Sequence, residues 1–321
     1  MLFLRALLFR REYFFVCRKS PCETIPSQNS SGSRQYCALV TARCGCAIPS
    51  PDIKAMVAKT MIDVRVAVCV ALLVLGTGLR ATIAEPLDDA AEKYRPYMIE
   101  GIGQALAGAR DLRDHVAAND LPGAKKAWIS ARAGWERSEV FTAGFVPELD
   151  AQIDAWPNAD SGFHAIEARL FGAGRTDAEK DTNALVEHLD NLHGKLRNMA
   201  LTPQGLLDGI VRLAYEVGES KADGGESRIS GTSLDDMRNN VAGIDFAYRT
   251  IFSRALTTAD PKLADGVAAR IERLKVIVAA HDLPSIDVSE LRRASEELVI
   301  LLQRASVKLG LQRATLEAKS Q

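Results

Sequence analysis

The chain has 321 residues, with 40 basic and 41 acidic side chains, 47% apolar residues and 6% aromatic ones. That length and apolar content allow one large domain or two small ones with a sizeable core, and exclude a disordered, collagen-like or polytopic membrane chain. A net charge of −1 excludes the broadly basic surface of a general nucleic-acid binder.

All six cysteines, Cys17, Cys22, Cys37, Cys44, Cys46 and Cys69, come early. Residues 1–55 show no sustained helical or strand period and read as a spurious or disordered extension ahead of a true start at Met56 or Met61. Met61 to Arg65 then forms a short charged region, Val66 to Leu75 an apolar run of ten residues, and Thr82-Ile83-Ala84 a small-residue cleavage site. Residues 56–84 therefore predict a secretory signal peptide, its apolar run too short to span a bilayer. Cys69 sits inside that run, which argues against a lipid anchor. Cys44-Gly-Cys46 has neither a second pair nor a nearby histidine to complete a metal site. The expected functional chain, 85–321, is periplasmic and has 237 residues without cysteine, 29 basic and 37 acidic. Its acidity suits cations better than anionic polymers.

From Leu87 onward the apolar spacing is helical. Helices are expected over 87–118 (with Pro96 as a bend point), 122–143, 161–172, 177–199 and 203–221. Trp128, Ala131 and Trp135 share one stripe of the second. Thr202-Pro203 supplies an N-cap and a first helical residue. A Gly-rich loop at 222–232 precedes a helix with Leu234, Met237, Val241, Ile244, Tyr248, Ile251 and Ala255 at three-four spacing. Asp260-Pro261 opens the next, with Leu263, Val267, Ile271, Leu274 and Val278 inward. Asp287 and Glu290 form a capping box for 288–311. The expected class is all-α, antiparallel helices with short connections. No phosphate loop, Gly-x-Ser-x-Gly elbow or His-Glu-x-x-His pair is present.

The informative residues are Ala131 to Glu139, Leu149 to Asp154 and Gly162 to Glu167. Glu136 and Glu139 are three apart and neighbours if helical; Glu139, four after Trp135, falls on the apolar stripe. His164 and Glu167 (an H-x-x-E motif) repeat the pattern, Glu167 lying four after Phe163. A carboxylate facing a core is costly unless paired, protonated or bound to a metal. Several carboxylates with one imidazole make a hard, anionic pocket suited to a transition metal such as iron or zinc. His115, His188, His193 and His281 read as surface or local hydrogen-bonding residues.

These three runs, in this order and across most of 87–310, resemble the imelysin-like family, which includes the periplasmic iron-uptake component EfeO and its short form EfeM. Gly162-Phe-His-Ala-Ile-Glu167 is the most specific element. The resemblance implies an all-α fold of two antiparallel four-helix-bundle-like halves, in the short form that lacks a cupredoxin domain. It implies that Glu136, Glu139, Asp154, His164 and Glu167 line a metal site, with Glu216 a further candidate on a later helix. It implies iron, ferric or ferrous, ahead of zinc or copper. The ion would pass to an inner-membrane iron permease that works with a haem peroxidase, without catalysis by this chain. The sequence departs from the family after Gly225-Glu226: a Gly-Glu-Glu loop followed by R-Y-S-H-T-D-L in many members is replaced by Ser227 to Leu234, without the histidine and with one acid fewer.

Two alternatives stand beside metal delivery. A metallopeptidase follows from the family's peptidase label, although a catalytic zinc usually has three protein ligands, an open position and a placed base. Metal-assisted binding of an acidic polysaccharide such as alginate would use Arg110, Arg113 and Arg132. A di-iron oxidase would need Glu-x-x-His on two helices, and the sequence has none.

Overall fold

The 3.6-residue apolar period builds helices throughout, and no strand occurs among the described residues. The computed structural model describes residues 87–155, 160–222 and 224–316, all within one compact unit. The expected extension, the expected signal peptide and all six cysteines lie outside them. No described helix is long and apolar enough to cross a membrane.

Helix α1 runs over 87–117, unbroken at Pro96. Helix α2, Leu121–Glu136, begins on Asp120, whose carboxylate accepts the Gly123 N–H. The two pack antiparallel along small residues: a Cβ on Gly134 would lie 2.5 Å from the Ala105 nitrogen, and one on Gly108 2.6 Å from that of Ala131. Short helices α3, Thr142–Phe145, and α4, Pro147–Ile153, follow. Helix α5, Gly162–Glu167, widens into a π-turn at Ala168–Gly172. Helix α6, Glu179–Leu196, returns along α1, and Arg95 binds the Leu196 and Met199 carbonyls at its end. Helices α1, α2, α5 and α6 form the first four-helix half.

The second half contains α7, Pro203–Gly218, α8, Ser233–Ala247, α10, Pro261–Val278, and α11, Val288–Lys308. A π-turn, Tyr248–Phe252, carries α8 into α9, Ser253–Ala259. Here α7 packs on α8 and α11, and α10 on α8 and α11. The stripe from Leu234 to Ile251 is buried, as are Leu263, Val267, Ile271, Leu274 and Val278, while Ala255 is half-buried. Helix α2 lies on α8 and joins the halves.

The caps follow the sequence with one difference. Thr202 accepts the Gly205 N–H, Asp260 that of Leu263, and Asp287 those of Ser289 and Glu290. Glu290 pairs with Arg273 of α10, so the expected box is a one-way cap plus a cross-helix ion pair.

The larger departure is the expected helix over 122–143, which ends at Glu136. Residues 137–141 form tight turns, in which the Ser138 N–H bonds the Trp135 carbonyl at 2.8 Å and the Glu139 N–H that of Glu136 at 3.5 Å. The Glu139 carbonyl is taken by Arg212 Nη2 at 3.0 Å and Thr142 Oγ1 at 3.3 Å. The turn also lies on Gly209 and Gly243, where any Cβ would overlap the Val140 and Arg137 carbonyls. Close backbone packing overrides the local apolar period.

Candidate metal centre

On α2 the inward face carries Trp128, Arg132, Trp135 and Glu136, so two charged residues enter the core beside two indoles. Each indole N–H has a partner: Trp128 donates to the Phe163 carbonyl at 3.0 Å and Trp135 to Asp154 Oδ2 at 2.7 Å. Asp154 is the C-cap of α4. Gly162 opens α5 with φ +62°, and a Cβ there would overlap the Ile153 carbonyl. Glycine thus lets α5 start against the end of α4, which sets His164 Nε2 3.1 Å from Asp154 Oδ1. The stretch after α7 contributes Lys221 and Glu226, and α8 contributes Asp236 and Asn240.

Six carboxylates, from Glu136, Glu139, Asp154, Glu167, Glu226 and Asp236, surround three basic groups. The Arg132 guanidinium meets Asp154 and Glu136 at 2.5 Å, Glu226 at 2.7 Å and Asp236 at 3.3 Å. The Lys221 ammonium meets Glu136 at 2.7 Å, Glu226 at 2.9 Å and Glu139 at 3.4 Å. His164 binds Asp154 through Nε2 and Glu167 through Nδ1 at 3.0 Å. Asn240 Nδ2 donates to Glu136 Oε2 at 2.8 Å and Glu139 Oε2 at 2.6 Å, and its buried Oδ1 accepts no hydrogen bond among the described residues.

The protonation of these groups follows from burial and neighbours. Burial, then Glu136, pushes Glu139 well above the usual carboxylate range. Burial raises Glu226, and burial with Glu136 raises Asp236 to about 7. Burial works against ionised Glu136 too, but Arg132 and Lys221 outweigh it and hold that carboxyl low. Asp154 is held well below its usual value by Arg132 and His164 despite burial. For His164, burial and Arg132 oppose the charge, yet the hydrogen bonds to Asp154 and Glu167 raise it to about 9. The cluster sets three internal cations against six carboxylates, of which burial pushes Glu139, Glu226 and Asp236 toward the protonated form.

Three groups of donor atoms lie within 4.8 Å of one another: Asp154, His164 and Glu226; Glu136, Glu226 and Asp236; and Glu136, Glu139 and Asp154. Four of the sequence-predicted residues, Glu136, Glu139, Asp154 and His164, are therefore brought together in these groups. Glu139 arrives from the turn after α2, not from the helix. Glu167 belongs to none of the groups: Oε2 holds His164 Nδ1, and Oε1 accepts the Ser230 N–H at 2.8 Å and hydroxyl at 2.7 Å. It orients the imidazole, as the outer carboxylate does behind a metal-binding histidine. Glu216 is not brought in; it pairs with Arg212 at 2.7 Å, partly exposed on α7.

Sequence reasoning missed Glu226, Asp236, Asn240 and Lys221 as members and misplaced Arg132. Arg132, taken with the surface arginines, is 1% exposed; Arg110 and Arg113 lie outside and pair with Asp190 and Asp114. The i,i+4 spacing from Trp128 to Arg132 put that arginine on the apolar stripe and was the available signal. Glu226 and Asp236 lie 90 or more positions from Arg132, beyond any local period.

A double helical bundle with a buried ionic centre between its halves defines the class, and sequence comparison gives the family. Residues 90–161 and 158–299 match the family model Peptidase_M75, imelysin. The chain belongs to the imelysin family. It is 30% identical over 207 residues to the Efem/EfeO family lipoproteins of Staphylococcus aureus strains MRSA252 and NCTC 8325 / PS 47, covering 60% of this chain and 71% of theirs. The fold is also that of a crystal structure from Parabacteroides distasonis ATCC 8503, whose description includes "iron-regulated protein A precursor". The TM-score is 0.57 at 15% identity, over 70% of this chain and 95% of that one.

Proposed function

We propose that this protein binds a multivalent metal ion, iron first among them, in the cell envelope and hands it to a membrane permease. The observation that carries the reading is the linked set of donor groups: five carboxylates and one imidazole, each group within 4.8 Å, sharing Glu136, Asp154 and Glu226. Hard oxygen donors with one nitrogen suit a transition metal such as iron or zinc, and the family resemblance puts iron ahead of zinc and copper. The buried Asn240 Oδ1 adds an oxygen beside the acids. Relatives described as Efem/EfeO lipoproteins and an iron-regulated protein support iron handling at the envelope, as does the signal-like segment at 56–84. The family resemblance points to an iron permease and a haem peroxidase as the partners of this role.

Catalysis is not part of the proposal. In the described cluster His164 is the one imidazole, whereas catalytic zinc sites of hydrolases draw on two or three histidines with an open position. Isothermal titration of the protein with ferric citrate, ferrous, zinc and copper ions tests the reading. Binding of at least one ion tighter than roughly 100 μM is expected; weaker binding of all four would end it.

A further inference from the structure

Glu226 Oε1 is the most contested atom of the cluster. Arg132 Nη2 lies 2.7 Å from it, Lys221 Nζ 2.9 Å and His164 Nε2 3.9 Å. The same ammonium holds Glu136 Oε2 and approaches Glu139 Oε2. Three carboxylates, two from the end of α2 and the turn after it and one from the segment after α7, thus close on one amino head that is 2% exposed, an arrangement a small cation would also adopt. A metal cannot use these oxygens while the ammonium remains, because Nζ, 2.7, 3.4 and 2.9 Å from Glu136, Glu139 and Glu226, fills the point that all three share.

The two strong bases differ in their freedom to leave. Arg132 projects from the middle of α2, meets four carboxylates, and has the Trp128 and Phe163 rings 5.9 and 5.5 Å from its guanidinium carbon. Lys221 lies beyond the end of α7 in a turn whose backbone N–H bonds the Glu216 carbonyl, three residues before Gly224 at φ +71°. Its head sits on a flexible four-carbon stem and makes point-charge contacts, without a planar fork.

Resting on the metal-binding reading above, we infer that the Lys221 ammonium is an internal stand-in for the cargo ion, which leaves the cluster when a metal enters. No covalent bond of the protein is made or broken in the exchange: the ammonium turns outward with its protons, giving up its hydrogen bonds, and Glu136, Glu139 and Glu226 coordinate the metal in its place. A monovalent ion brings no more charge than the head it evicts and gains nothing. A di- or trivalent ion adds one or two charges to an acid-rich centre, so Lys221 selects for high charge while keeping the metal-free protein neutralised.

The test is amine acylation of the full chain with acetic anhydride, read at Lys221 by mass spectrometry, alone and with gallium(III) citrate or zinc(II), beside titration calorimetry of the same samples. Lys221 is expected to be protected in the metal-free protein and to react about tenfold faster once either ion is bound. Calorimetric binding with Lys221 still protected would overturn the exchange and leave the metal site standing. Absence of binding by both ions would remove the metal site and the exchange together. In the Lys221→Met protein zinc affinity should rise about tenfold, and in Lys221→Arg it should not rise. A Lys221→Met protein that folds and binds zinc no tighter than the parent would also overturn the exchange; if it does not fold, the acylation result on the parent decides.

Discussion

Arg132 ties together four acids of the core: Asp154, Glu136, Glu226 and Asp236 all lie within 3.3 Å of it. Removing one partner of a buried ion pair leaves the others desolvated and uncompensated, which typically costs about 3–5 kcal/mol. Arg132→Met is expected to fall in that range by urea denaturation at neutral pH, and a loss under about 1 kcal/mol would show that retained protons neutralise the acids instead. Asp150 makes the opposite prediction. Burial, only partly offset by Arg212 and Thr142, raises its pKa from 3.8 to about 6. The folded state prefers the protonated form, so its contribution is complete below the unfolded value and is lost as pH rises through 6. Asp150→Asn should therefore stabilise the protein by roughly 1–2 kcal/mol at pH 7.5, with the gain vanishing near pH 4. Equal stability of the two proteins at both pH values would contradict the assigned environment.

Helix contacts are set by where side chains are missing as much as by where they are present. At the α1–α2 seam Gly134 faces the backbone of Gly101 and Ala105, with no room for a methyl group. Gly194, exposed on α6, has nothing within 4 Å of an added Cβ. Gly134→Ala should destabilise by about 1–3 kcal/mol through overpacking. Gly194→Ala should stabilise by about 0.5–1 kcal/mol through helix propensity. Thermal melts of the two variants check the pair, and a Gly134→Ala protein no less stable than the parent would refute the packing assigned to the seam. The same logic explains why the second helix stops early. Glu136, Glu139 and Trp135 have helical spacing, but the Glu139 carbonyl is claimed by Arg212 from α7, a contact no window of local sequence contains.

For the whole molecule, the ionic centre joins the two halves: α2 and α5 come from the first, α8 and the segment after α7 from the second. An ion that binds there stabilises the native state alone. At a free concentration one hundred times its dissociation constant the gain is about 2.7 kcal/mol, which for a domain of this size raises Tm by about 5–10 °C. Scanning calorimetry with gallium(III) citrate should show that rise, and a chelator should reverse it. An unchanged Tm despite calorimetric binding would place the ion elsewhere, on a surface with no part in holding the halves together.

Much of this was legible in the residues. The helices, their caps at Thr202, Asp260 and Asp287, and the inward pair His164 and Glu167 follow from period and spacing, because each depends on neighbours within a turn or two. The all-α class and the family motifs belong to the same local record. Only the tertiary structure decided which acids share a centre. It brought in Glu226, Asp236 and Asn240, left Glu216 half-buried with Arg212 outside the centre, gave Glu167 to the imidazole, and drew Arg132 and Lys221 inside. Charges buried together must be balanced by whichever opposite charges the packing delivers, and those come from helices a hundred positions apart.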